Sequence, residues 1–263
     1  MKKCFFSLLI IIIIIILYSI YIEPFNYKIN EYNINVKDTS NHYNNLKIAH
    51  FTDTMINNKT EFFLLNKIAE EINNVNPNII IFTGNLLSSN INDKTKKKIN
   101  IFLSLIKVDV PKYAILDKYD NELSKELLLN NGYQILNKNS LYFFYKDINP
   151  ILIENFDTID NLTLPEENLN YNMIFLLLNN ADDFDNITNH DIPIIAFAGN
   201  LGGEIRIPFY EGLIRNDGNK DYINNYYSNK NNQLYVSFGI GTSKRKIRLF
   251  NKPSFNLYRI RVK

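Results

Sequence analysis

The chain reads as an α/β protein with mixed sheets, and three observations point there. Apolar runs ending in a polar turn recur along it. Leu46 to Phe51 runs into Thr52-Asp53, Ile79 to Phe82 into Thr83-Gly84-Asn85, and Tyr113 to Leu116 into Asp117. Ile174 to Leu178 runs into Asn179-Asn180, and Ile194 to Ala198 into Gly199-Asn200. Short apolar runs rich in β-branched residues have the character of buried strands. The first three alternate with segments whose apolar residues fall at helical spacing, and from Glu204 onward the pattern is mostly strands. Strand ends gathered at one edge of a sheet are where α/β folds hold ligands and chemistry.

Length and composition narrow the classes. The 263 residues carry a formal net charge of +2 and 46% hydrophobic residues, enough for one sizeable globular domain. The near-neutral balance gives no case for nucleic acid as a partner. The single cysteine, Cys4, lies inside an N-terminal apolar run, which excludes a disulfide framework or a multi-cysteine zinc site within one chain.

That run, Cys4 to Ile22, is free of charge and preceded by Lys2 and Lys3. About 20 apolar residues cross a bilayer as a helix. Tyr18 to Pro24 offers no small-residue cleavage pattern, so residues 1–23 read as an uncleaved signal anchor; a cleaved signal peptide is the alternative. The two lysines favour a cytoplasmic N-terminus and an extracytoplasmic domain, against Lys28 and Lys37 on the other flank. Residues 24–45 form a polar lead-in, with Tyr27 to Asn30 able to make an edge strand, and the domain proper spans 46–263.

After the first strand, Phe62, Leu65, Ile68, Ala69 and Ile72 predict a helix with Thr60 as its N-cap. A second helix is expected from Lys94 to Lys107, with Ile99, Phe102, Leu103 and Ile106 inward and Lys96 to Lys98 on a solvated face. A third runs from Asn121 to Asn130 before Gly132, a residue suited to the C-terminal cap. Short strands follow near Gln134, Tyr142 to Tyr145 and Ile151 to Ile153, then a short helix over 182–189. Later strands are expected at Ile205 to Ile207, Leu234 to Phe238 and Asn256 to Val262. Asn216 to Asn232 reads as a surface loop.

These strand ends, in this order, resemble the calcineurin-like metallophosphoesterases, above all a membrane-anchored bacterial branch similar to the UDP-diacylglucosamine pyrophosphatases. The likeness extends to Ile22-Glu23-Pro24, Asn76-Pro77-Asn78, Gly202 to Pro208, Leu234 to Ser243 and Ile247 to Pro253. It implies a four-layer α/β/β/α sandwich of two mixed sheets with helices outside. It also implies two divalent metals that activate water and clamp a phosphate. The motifs depart from that pattern at nearly every ligand. Asp53 keeps the first carboxylate, but Met55 stands at the histidine of Asp-x-His. Asn85 replaces the bridging aspartate, and Lys118 and Tyr119 replace the asparagine and histidine of Gly-Asn-His-Asp. Asn179, Gly199 and Leu201 stand where further histidines belong. Hard dications favour oxygen and imidazole ligands over a thioether, and the Lys118 cation would repel them. His42, His50 and His190 fall outside the ligand positions; His50 reads as structural and His190 as a helix cap.

The resulting expectation is a pseudoenzyme: an anchored binding or interaction module with no resident cofactor. An anion or lipid head group could be held at Lys118, Asn85, Asn179, Asn200 and the Gly202-Gly203 backbone. The alternative is a residual metal-dependent phosphohydrolase acting on a phosphoester or lipid pyrophosphate. It would use one weakly bound Mn²⁺ or Mg²⁺ held by Asp53, Asp120, Asn85 and Asn179, with Asp120 otherwise a turn or cap residue. A third possibility is a structural membrane protein presenting the basic turn Lys244, Arg245, Lys246 and Arg248 to lipid or a protein partner.

Overall fold

The computed structural model of the chain describes residues 2–37, 39–107, 109–117, 120–136, 140–147, 149–156, 172–187, 192–199, 204–206, 221–243 and 246–263. Helix α1, Lys2–Tyr21, is followed by a 3₁₀ turn, Glu23–Phe25. The stretch Phe6–Phe25 is long and apolar enough to cross a membrane. At 1.5 Å per residue the 20 residues of α1 span about 30 Å. Leu8 to Leu17 are exposed all round the helix, so over that stretch no face is covered by the domain; only the last turn, with Ser19 buried, meets it.

Strands β1 (Lys28–Val36), β2 (Lys47–Phe51), β3 (Ile79–Phe82), β4 (Lys112–Ala114), β5 (Tyr133–Ile135) and β12 (Ser254–Val262) form the first sheet, in the order β1-β12-β2-β3-β4-β5. β2 to β5 run parallel, and β12 lies antiparallel to β2. The lead-in does form the edge strand, pairing with β12 along its whole length. The second sheet holds β6 (Leu141–Phe143), β7 (Ile151–Asn155), β8 (Met173–Leu178), β9 (Ile194–Gly199), β10 (Tyr226–Asn229) and β11 (Asn232–Ser237), in the order β10-β11-β9-β8-β7-β6.

Alternation along the strands builds the layers. Ile48, Ile79 and Ile81 point between the sheets, where they meet Phe175, Phe197 and Tyr258. Ala49, Ile80 and Phe82 point outward to α2 (Phe62–Asn74), α3 (Asp93–Leu105) and α4 (Glu122–Asn130), with Ile68, Phe102 and Leu127 as the opposing faces. The outer face of the second sheet packs Leu176, Ala196 and Leu234 against Phe184 and Ile187. The strand pattern predicts the mixed sheets, and the pairing of two such sheets with helices outside is the architecture the resemblance implies.

Local differences have local causes. Glu61, not Thr60, is the N-cap of α2, because the Thr60 hydroxyl instead accepts from the Asn57 backbone N–H at 2.9 Å. In place of the short helix expected over 182–189, the described residues show a 3₁₀ helix over Ala181–Asn186. Three aspartates and an asparagine there favour local turns over a regular helix. Of the strand expected at 205–207, the described residues show one bridge, Ile205 to Leu249. Part of the supposed loop before residue 232 is β10, an exposed hairpin partner of β11.

Candidate functional site

Parallel β2, β3 and β4 end at one edge, and the turn before antiparallel β12 closes over them. Asp53 leaves β2 with φ +50°, Met55 follows with φ +50°, and Asn85 leaves β3 with φ +60°. Left-handed backbone at three non-glycine residues in two adjoining turns is uncommon and concentrates strain there. Backbone bonds enforce it. Asp53 N–H donates to the Gly84 carbonyl at 3.0 Å, and Met55 N–H to the Asn85 carbonyl at 3.0 Å. Gly241 N–H donates to the Asp53 carbonyl at 2.7 Å.

Asp53 is 3% exposed, and its Oδ1 accepts from the Asn85 side-chain Nδ2–H at 2.8 Å. Turning that amide over would set two lone-pair oxygens against each other, so the nitrogen faces the carboxylate. Asn179, at the end of β8, donates its Nδ2–H to the Leu116 carbonyl at 3.1 Å. The Oδ1 atoms of Asn85 and Asn179 are both buried without a hydrogen-bond partner. Gly84, with φ +93°, lies between Asp117 and Asn179: a Cβ there would sit 3.1 Å from the Asp117 Cβ and 3.5 Å from Asn179 Oδ1. Gly199, ending β9, crowds the site from the second sheet. A Cβ there would fall 2.6 Å from Asp53 Oδ2 and closer still to Thr52 Oγ1.

The structure thus brings Asp53, Met55, Asn85, Asn179 and Gly199 to one edge. Lys118, Tyr119, Asn200, Leu201, Gly202, Gly203, His190, Lys244 and Arg245 lie outside the described residues. Asp120 is a brace: its oxygens accept from the backbone N–H groups of Asn85 (2.8 Å), Leu86 (2.9 Å) and Asp117 (3.1 Å). Desolvation raises its pKa, opposed by those same hydrogen bonds. The turn-residue reading of Asp120 therefore holds over the ligand reading. The Asp53 carboxylate and the Oδ1 atoms of Asn85 and Asn179 are the donors a cation could use. Among the described residues no group of three or more His, Cys, Asp and Glu is placed to hold a metal ion.

Arg248 overturns its reading as one of a solvated basic turn. It is 0% exposed, and its guanidinium donates to the carbonyls of Phe238, Gly239, Gly241 and Asn251 at 2.6 to 3.2 Å. Burial lowers its pKa to about 10, and the charges of Glu204, Asp53 and Glu23 oppose that shift. His50 is buried between Thr83, whose Oγ1 is 2.9 Å from Nε2, and the Phe197 and Tyr258 rings. It is structural. His42 is exposed in a 3₁₀ turn, Asn41–Tyr43.

The sequence places Asp117 at a strand end, first in the altered third motif, without its contact with Gly84. It names Arg248 only as one of a basic turn, and nothing in that composition sets it apart from exposed Lys246. Beside the site, Met55 also lines a cavity of about 200 Å³ that reaches Pro24 and Phe25.

The sequence is 21% identical over 257 residues to the uncharacterized metallophosphoesterase YkuE of Bacillus subtilis (strain 168), covering 93% of this chain and 89% of that protein. The chain is metallophosphoesterase-like. No family model matches it. Solved structures are similar at low TM-score, among them these two. GAP50, the anchor in the inner membrane complex of Plasmodium, is 11% identical with a TM-score of 0.41, over 74% of this chain and 72% of that one. TT1561 of Thermus thermophilus is 9% identical with a TM-score of 0.38, over 74% of this chain and 90% of that one. At those scores neither likeness says anything about what this metallophosphoesterase-like protein does.

Proposed function

We propose that this metallophosphoesterase-like chain is a pseudoenzyme: an anchored binding or interaction module whose site does not run two-metal phosphoester chemistry. The carrying observation is the Asn85 amide on Asp53. Two-metal hydrolysis needs an anionic oxygen shared between dications. Here the bridging position offers an N–H, and that N–H occupies one oxygen of the remaining carboxylate. Gly199 supports the same reading, since an imidazole at that position would collide with Asp53 and Thr52. Two dications do not fit this donor set.

The helix Lys2–Tyr21 is read as the anchor, with Lys2 and Lys3 on the cytoplasmic side and a domain from about residue 24 to 263 outside. Its ligand in this reading is an anion or a lipid head group, and its partner is the membrane through that helix. The test is phosphodiester turnover by the full chain in detergent with Mn²⁺. Rates equal to those of Asp53→Ala are expected; Mn²⁺-dependent turnover that Asp53→Ala abolishes overturns the reading. That second outcome would establish the residual hydrolase. The two partnerless Oδ1 atoms beside Asp53 favour that alternative, as donors for one Mg²⁺ or Mn²⁺.

A further inference from the structure

The cavity of about 200 Å³ lies where the N-terminal helix meets the domain and adjoins the strand-end site, with Thr54, Met55 and Gly241 in its wall. Its walls are chemically divided. Leu64, Leu65, Met55 and Phe25 give it an apolar floor, and Lys59 and Lys246 bring two cations. Glu61 is paired with Lys246 at 2.7 Å, so one positive charge is in excess among these three. The N-terminal end of α2 also faces it, and no side chain caps that end.

The cavity's place relative to α1 is fixed by direct bonds. Arg248 N–H donates to the carbonyl of Ser19, in the last turn of α1, at 3.0 Å. Asn251 N–H donates to Oε1 of Glu23 at 2.6 Å, and Glu23 is 1% exposed. The Lys246 ammonium lies 3.9 Å from the centre of the Phe25 ring. The cavity wall is therefore level with the end of the apolar helix, the depth at which a spanning helix passes from hydrocarbon to head groups. An apolar floor under cations at that depth matches an amphiphile with a negative head.

We propose that this cavity binds an anionic glycerophospholipid of the surrounding bilayer, its phosphate near Lys59 and its upper acyl carbons on Leu64, Leu65 and Phe25. The site is distinct from the strand-end site and rests on the anchor reading of α1. Basic residues near a membrane surface each favour anionic lipid by about fivefold in binding. Binding would also fix the domain's tilt on the membrane, because the lipid would touch both the anchor junction and α2.

The test uses the full chain reconstituted into nanodiscs of phosphatidylcholine with one quarter phosphatidylglycerol, followed by detergent release and native mass spectrometry of retained lipid. A retained phosphatidylglycerol-to-phosphatidylcholine ratio about fivefold above the bulk ratio is expected. Lys59→Glu should remove that preference, and Leu65→Glu should lower total retention. Lys59 is exposed in a loop, so its variant should fold, which the far-ultraviolet spectrum would verify. Insertion with no preference for the anionic lipid overturns the proposal and leaves the anchor reading standing. Failure to insert overturns both. Displacement of the lipid by millimolar inorganic phosphate would mark a free-anion site and also overturn it.

Discussion

At the scale of single residues, the buried groups make the sharpest predictions. His50 is buried among apolar and aromatic neighbours, and that desolvation lowers its pKa from 6.5 to about 3. The unfolded chain therefore takes up a proton first as pH falls. His50 costs nothing above about pH 6.5, and stability drops by roughly 1.4 kcal/mol per pH unit from there toward pH 3. Urea unfolding of His50→Phe should show a shallower loss between pH 6.5 and 5 than wild type, though from a lower starting point because the Thr83 and Tyr258 contacts go. Equal slopes would mean that His50 titrates normally. Gly199 makes a second case. Its φ is ordinary, so only the close approach to Thr52 and Asp53 forbids a side chain. Gly199→Ala should cost about 1–3 kcal/mol as an overpacking change, read as a lower thermal midpoint. An unchanged midpoint would show that the two strand ends can spread.

At the scale of elements, the turns after β3 and β4 are held by one carboxylate. Asp120 joins them by accepting from three backbone N–H groups. Asp120→Ala would leave partly buried amides unpaired, with an expected loss of about 3 kcal/mol or more. Asn121 next to it caps α4 through the Ser124 N–H at 3.0 Å, and Asn121→Ala should cost only about 1 kcal/mol. A smaller effect at Asp120 than at Asn121 would contradict the bracing role. The element pattern was the most legible part of the sequence. Ile79 to Phe82 and Met173 to Leu178 are apolar on both faces because each is covered on both sides, and that signal needs no tertiary knowledge. The N-cap of α2 escapes the pattern because Thr60 has a competing backbone partner in its own turn. The 3₁₀ segment and β10 escape it because polar residues carry no period when only one face, or neither, is buried.

At the scale of the whole molecule, Arg248 links parts that are far apart in the chain. Its side chain holds the turn before β12, whose Gly241 N–H in turn holds Asp53, while its backbone holds the end of α1. A buried cation satisfied by carbonyls is intolerant of change. Arg248→Lys keeps the charge but cannot reach four carbonyls at once, so a loss of about 3–5 kcal/mol is expected by thermal unfolding. This network is invisible in the sequence, since Arg248 sits among Lys246 and other basic residues whose composition reads as a solvated turn. The strand-end site was half legible: motif order placed Asp53, Asn85, Asn179 and Gly199, but not the crowding at Gly199 or the hydrogen bond that ties Asn85 to Asp53. Those depend on how two sheets meet.

The most direct measurement is calorimetric titration of Mn²⁺ into the full chain in detergent, beside Asp53→Ala. A site whose bridging position carries an amide should show no saturable binding of two ions. Two ions per chain, bound saturably and lost in Asp53→Ala, would contradict the account.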